Sequence, residues 1–175
     1  ALRGIADALR ESFKDAGDLE VLAQGDLPKR VLIERFRRGS DAGEVGCILV
    51  ASASFWEGID VPGEALQMVI IDKLPFPPPN DPMAEARSRH IESLGRSAFN
   101  DYFLPEAAVA LKQGAGRLIR RESDQGVLVV CDTRLVTMGY GRRLLRALPP
   151  MQRLSSESEL LQRLDLLTKT CTTRP

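Results

Sequence analysis

"VGCILVASA", residues 45–53, is apolar almost throughout, with no polar residue breaking in at every second position. A strand that reads this way needs cover on both faces, which is the habit of buried parallel sheets. Three further stretches carry the same signature: "LEVLAQG" (19–25), "LQMVIIDKLP" (66–75) and "GVLVVCDTR" (126–134). Helical patterns lie between them. "PKRVLIERFRRG" (28–39) has Pro28 near its first turn, and "DPMAEARSRHIESLG" (81–95) opens on Asp81-Pro82 and closes on Gly95. A third helix is predicted to run through "QGAGRLIRR" (113–121) and to precede the strand at 126–131. Alternation of this kind predicts an α/β fold, a three-layer parallel sheet with helices on both faces. Ligands of such sheets sit beyond the carboxyl ends of the strands, so function is sought in the loops at those ends.

The chain has 175 residues, 43% of them hydrophobic, which suits one domain with a sizeable core. Lys+Arg and Asp+Glu are both 24, so any attraction to nucleic acid has to come from a local patch. Cys47, Cys131 and Cys171 lie far apart, without metal-ligand spacing, and read as reduced packing residues of a cytoplasmic protein. No run approaches the ~18 apolar residues of a membrane span, so no membrane partner is expected.

Three strand-end loops stand out. "ASFWEGIDVPG" (53–63) places Trp56, Glu57 and Asp60 around Gly58, where the backbone can turn sharply; an ordinary turn with Phe55 and Trp56 plugging the core is the plain alternative. "KLPFPPPNDP" (73–82) holds five of the 11 prolines and reads as a stiff extended segment, either spanning the surface or docking against another domain. In the third, Gln113, Arg117 and Arg120 recur at helical spacing and share one face, while Ala107, Ala108, Leu111, Ala115, Leu118 and Ile119 form an apolar stripe for the sheet. Gly114 and Gly116 each cost about 1 kcal/mol in a helix relative to alanine, so their missing side chains leave room for a close approach. The arginine forks suit phosphate oxygens and cannot lose their charge; a merely solvated face is the alternative. Lys73 and the basic stretch Arg134, Arg142, Arg143 and Arg146 are local patches for a phosphate backbone, a solvated helix face being the preferred reading of the last three.

"SFWEGID" (54–60), "KLPFPPPNDP" (73–82) and "QGAGRLIRRESDQGVLVVCDTR" (113–134), in this order and spacing, closely resemble the C-terminal motor domain of DinG/XPD-like superfamily 2 DNA helicases, of the bacterial YoaA/DinG type. The resemblance covers roughly residues 1–150 and takes in "LAQGDLPKRVLIERFRRG" (22–39). It implies a RecA-like, P-loop NTPase-type second helicase domain, with ATP and Mg²⁺ held in a cleft shared with the first motor domain. It also implies ATP hydrolysis coupled to 5′ to 3′ movement on single-stranded DNA, in DNA repair or replication. By position, Arg117 and Arg120 would be arginine fingers reaching the γ-phosphate, Gln113 its sensor, and Gly116 a neighbour of the nucleotide. Glu57, Gly58 and Asp60 would couple the nucleotide to the DNA groove, with Trp56 and Lys73 on DNA.

No G-x-x-x-x-G-K-[ST] phosphate loop and no D-E-x-H stretch occurs in the sequence, nor do the four cysteines with which family members hold a 4Fe–4S cluster. The resemblance assigns all of these to the first motor domain, so this chain alone is expected to bind no cofactor and to hydrolyse no ATP. Helical periodicity from the first residue of "ALRGIADALRESFKDAG" (1–17) reads as a piece of something longer, its first strand lying upstream. After Leu148-Pro149-Pro150, residues 151–175 form a separate tail. There "SSESELLQRLDLLTK" (155–169) has a serine cap and a stripe of Leu160, Leu161, Leu164 and Leu167. That stripe either packs on this or the first motor domain, or docks a replication or repair protein such as a polymerase accessory or single-strand-binding protein. Rival readings of the whole are a non-catalytic α/β interaction module docking through that helix, and a nucleotide enzyme such as a kinase or dehydrogenase. Against the latter, no complete phosphate loop is present.

Overall fold

A computed structural model describes residues 2–17, 19–41, 46–56, 66–119 and 124–172, with 40, 41, 54, 56 and 168–172 described by backbone alone. Helix α1 (Leu2–Ser12) leads into strand β1 (Leu19–Ala23), helix α2 (Lys29–Asp41) and strand β2 (Gly46–Val50). β1 and β2 pair in parallel, from Leu19 opposite Gly46 to Ala23 opposite Val50. The crossover is possible because Gly25 turns the chain at φ +100°, a conformation costly for any side chain. α2 then lays Leu32 and Phe36 against Leu22 of β1 and Phe55 of a 3₁₀ turn, Ala53–Trp56, just past β2. At the carboxyl ends of this pair, Gln24 Oε1 accepts hydrogen bonds from Ser52 N (2.8 Å) and Ser52 Oγ (2.9 Å), tying the two loops together.

A second parallel pair comes next: β3 (Met68–Ile71) and β4 (Val127–Val130), with Met68 opposite Val127 and Ile71 opposite Val130. Between them lie α3 (Pro82–Ser93), a π-helical turn (Phe99–Phe103) and α4 (Leu104–Gly116), which continues from that turn without a break. α3 starts and stops as its sequence predicts. Asp81 Oδ1 accepts from Met83 N (2.9 Å) and Ala84 N (3.0 Å), and Gly95 leaves the helix at φ +71°. Helices α5 (Arg134–Thr137), α6 (Gly141–Ala147) and α7 (Glu157–Thr172) complete the chain. The core of this half joins Ile71 and Leu74 to Leu104, Ala107 and Leu111 of α4, Leu135 of α5 and Leu144 of α6.

The chain is α/β with parallel strands, but the single three-layer sheet is not what the described residues form: the four strands make two separate two-stranded sheets. In the second sheet Ile71 is buried while its neighbour Ile70, pointing to the opposite face, is 61% exposed. One face therefore carries a helical layer and the other is open at that point.

Further expectations need correction. The arginine helix ends at Gly116 and does not continue through 117–119. Its last turn tightens to i→i−3 bonds, Arg117 N to Gly114 O (3.2 Å) and Leu118 N to Ala115 O (3.1 Å), which swings Leu118 into the core and leaves Ile119 exposed. Gly126 makes room for this, since a Cβ there would stand 2.5 Å from Leu118 Cδ1. The proline-rich segment is anchored at its start on the core of this half, where Leu74 is buried and Phe76 packs, while residues 78–82 are exposed. Cys131 is exposed at the end of β4 and so is no packing residue.

Candidate functional site

Gln113 is exposed on α4, and Arg117, half-buried, caps the helix in αR geometry. Their spacing of one turn is therefore kept to the end of the helix. Gly116, beside Arg117, has open space where a side chain would stand. Arg120 lies outside the described residues, as do Glu57, Gly58 and Asp60. Trp56 closes the 3₁₀ turn after β2, and α4 packs against that turn. The structure thus brings the helix carrying Gln113 and Arg117 to the start of the first motif loop. Lys73 is exposed in the bend after β3, on a different loop.

Among the described residues no group of three His, Cys, Asp or Glu side chains could hold a metal ion. The donors at the end of α4 are instead an amide and a guanidinium, which suit the oxygens of a phosphate. A four-cysteine cluster does not fit a chain with three cysteines. The Cys47 thiol is pushed up by burial and by the neighbouring Glu20 carboxylate, so it is a poor nucleophile.

Asp132, just beyond β4, is the residue that sequence reasoning missed. Its side chain is only 7% exposed, yet it is ionised and fully engaged. Oδ2 accepts from the Leu74 backbone N (2.9 Å) and from Arg134 Nη2 (2.6 Å), while Oδ1 accepts from Arg134 N (3.0 Å) and Arg134 Nε (2.9 Å). The Arg134 guanidinium holds the carboxyl well below the usual carboxylate range; burial opposes this, and the two backbone amides add to it. Arg134 in turn sits over the Phe76 ring, 5.7 Å from its centroid, and Phe76 packs with Phe99 and Tyr140 at centroid distances of 5.8 and 5.9 Å. The charge of Arg134, a member of the basic stretch, is thus matched within the fold by Asp132. Arg143 also has a partner, donating to Asn100 Oδ1 at 3.1 Å. The local hint was an aspartate directly after an apolar strand; its partner Leu74 is 58 residues away.

A depressed carboxyl stabilises the fold at pH above the ordinary carboxylate value, and that contribution fades as pH falls through it toward the folded value. Asp132→Asn should therefore lower the melting temperature of the intact protein at pH 7. The gap from wild type should close below about pH 3.9, the ordinary value for aspartate. A gap that stays constant across paired thermal melts at both pH values would contradict this.

The tail helix opens on a serine cap as expected: Glu159 N donates to Ser156 Oγ (3.3 Å), and the Glu159 carboxylate accepts from Ser155 N (2.7 Å), one residue before the cap. Its leucines belong to neither buried cluster, and Leu161 is 55% exposed. No helix of the described residues is long and apolar enough to cross a membrane.

The sequence pattern of the family described as the helicase C-terminal domain matches residues 1–151. The chain is 44% identical over 161 residues to the ATP-dependent DNA helicase YoaA of Haemophilus influenzae, covering 92% of this chain and 24% of that protein. It is 47% identical over 145 residues to YoaA of Escherichia coli, covering 83% of this chain and 22% of that protein. With the ATP-dependent helicase DinG of Mycobacterium tuberculosis it shares 37% identity over 160 residues, covering 91% of this chain and 23% of that protein. The chain thus spans about a quarter of the length of these relatives.

Proposed function

The chain belongs to the helicase C-terminal domain family, and we propose that it is the second motor domain of a cytoplasmic ATP-dependent DNA helicase moving 5′ to 3′ on single-stranded DNA in repair or replication. Residues 1–150 form the motor domain and 151–175 an appended tail. In this reading Arg117 and Arg120 stabilise charge developing on the γ-phosphate and Gln113 senses it, with Gly116 leaving space for the nucleotide. Glu57, Gly58 and Asp60 couple that site to DNA, which Trp56 and Lys73 contact. Mg²⁺, the phosphate loop and a 4Fe–4S cluster belong to the first motor domain.

The observation that carries the reading is the packing of α4, with Gln113 and Arg117 at its end, on the turn that opens the SFWEGID loop, within a stretch matched by the family over 1–151. Leu161 of α7, exposed and outside both buried clusters, favours a second role for the tail, docking a replication or repair protein.

One comparison tests both. The intact protein should hydrolyse ATP in response to single-stranded DNA and unwind duplexes with a 5′ tail in preference to a 3′ tail. The 175-residue chain alone should hydrolyse none. Deleting residues 155–175 from the intact protein should leave melting and hydrolysis unchanged and cost only a replication or repair partner. Robust hydrolysis by the isolated chain would overturn the shared site, and a lowered melting temperature on truncation would make the tail part of the core.

A further inference from the structure

The proline-rich segment leaves the end of β3 and has to cross the end of β4. Its first anchored residue is Leu74, whose N–H donates to Asp132 Oδ2 at 2.9 Å. A tight three-residue turn comes next, with Phe76 N donating to Leu74 O at 2.8 Å, which aims the Phe76 ring under the Arg134 guanidinium. Arg134 is held by the same carboxylate that holds Leu74. Two loops from neighbouring strand ends are thus joined through one nearly buried side chain, and Lys73, one residue before the anchor, is exposed to solvent.

We propose that Asp132 is a positioning residue: by clasping Leu74 N–H and the Arg134 fork it fixes the course of the 73–82 segment and so the place of Lys73 on the DNA path. The proposal rests on the helicase reading for what Lys73 touches, and on geometry alone for the clasp. Asp132 acts only through Leu74 and Arg134. A bidentate guanidinium–carboxylate pair supplies direction as well as attraction, and a lysine or an amide in either place cannot reproduce the fork. Prolines at 75, 77, 78 and 79 stiffen the chain beyond the anchor, so a shift there is carried along the segment instead of being absorbed by it.

The test uses the intact protein with Asp132→Asn and Arg134→Lys. Each should raise the concentration of single-stranded DNA giving half-maximal ATP hydrolysis by roughly tenfold, the scale of one charge-assisted hydrogen bond. KM for ATP and kcat at saturating DNA should stay unchanged, and amide exchange across 73–80 should quicken. Ala6→Gly, at a fully buried position of α1 outside both clusters, is the control for stability alone: it should lower melting without moving the DNA requirement. Combined with Lys73→Ala, Asp132→Asn should cost less than the sum of the two, since both act on one contact. A loss that falls on kcat, ATP and DNA together, additive losses, or unchanged exchange across 73–80 would each overturn the proposal. If the wild-type protein neither binds DNA nor hydrolyses ATP, the helicase reading falls. The exchange measurement then decides the clasp alone, faster exchange upholding it and unchanged exchange removing it.

Discussion

Arg117→Ala in the intact protein is expected to lower kcat for ATP hydrolysis by roughly 10³-fold or more while DNA binding survives, the scale set by arginines that stabilise a transferring phosphoryl group. Arg117 caps α4 with helical backbone geometry, one turn beyond Gln113 and against the space left by Gly116. Removing it takes away a planar, permanently charged fork from the end of the helix that packs on the first motif loop. Arg117→Lys should restore little, because a point charge lacks the fork. Lys112→Ala, an exposed change on the same helix, should leave kcat alone. Steady-state hydrolysis at saturating ATP and DNA decides the matter: normal kcat in Arg117→Ala would return the arginine to an ordinary solvated or packing role.

Gly141→Ala is expected to destabilise the domain by about 3 kcal/mol or more, at the upper end of what overpacking does. α6 begins at Gly141, directly over the end of α5, where a Cβ would stand 1.9 Å from Leu135 O and 2.6 Å from Leu135 C. Both are backbone atoms, so no rotamer change relieves the clash. Displacing them moves Leu135 and Leu144, both in the buried cluster under β3. For a domain of this size the melting temperature should fall by roughly 6–12 °C. Gly139→Ala, two residues earlier with open space around it, should melt close to wild type.

The difference between these glycines is invisible in the sequence, because it depends on two helices meeting, and the same division runs through the whole fold. Strands β1 to β4 are legible because unbroken apolar runs such as Ile48-Leu49-Val50 admit few other environments. α3 is legible because Asp81-Pro82 and Gly95 act locally on the backbone. The end of α4 escapes helical periodicity although Gly114 and Gly116 signal it. The deciding contact, Leu118 against Gly126, joins residues eight apart in the chain. Pairing of strands into one sheet or two leaves no mark on apolar periodicity. The spacing of Gln113 and Arg117 can be read from helix geometry, whereas the Asp132 clasp joins residues far apart in the chain, with nothing periodic to betray it.

The π-helical turn at Phe99–Phe103 has a consequence for how this region tolerates changes in length. Leu104 N–H reaches back to Phe99 O, five residues away, so the turn holds one residue more than an ordinary helical turn would. Loss of any one residue between 99 and 103 would let the chain relax into a regular helix running into α4. Everything before it would then rotate by about 100° relative to that helix. Phe99 would leave Phe76 and Tyr140, and the buried Ala98 would turn toward solvent. Conservative replacements inside the turn should be accepted far more readily than single-residue deletions, so what descent must preserve across 99–103 is the residue count more than the residue identities.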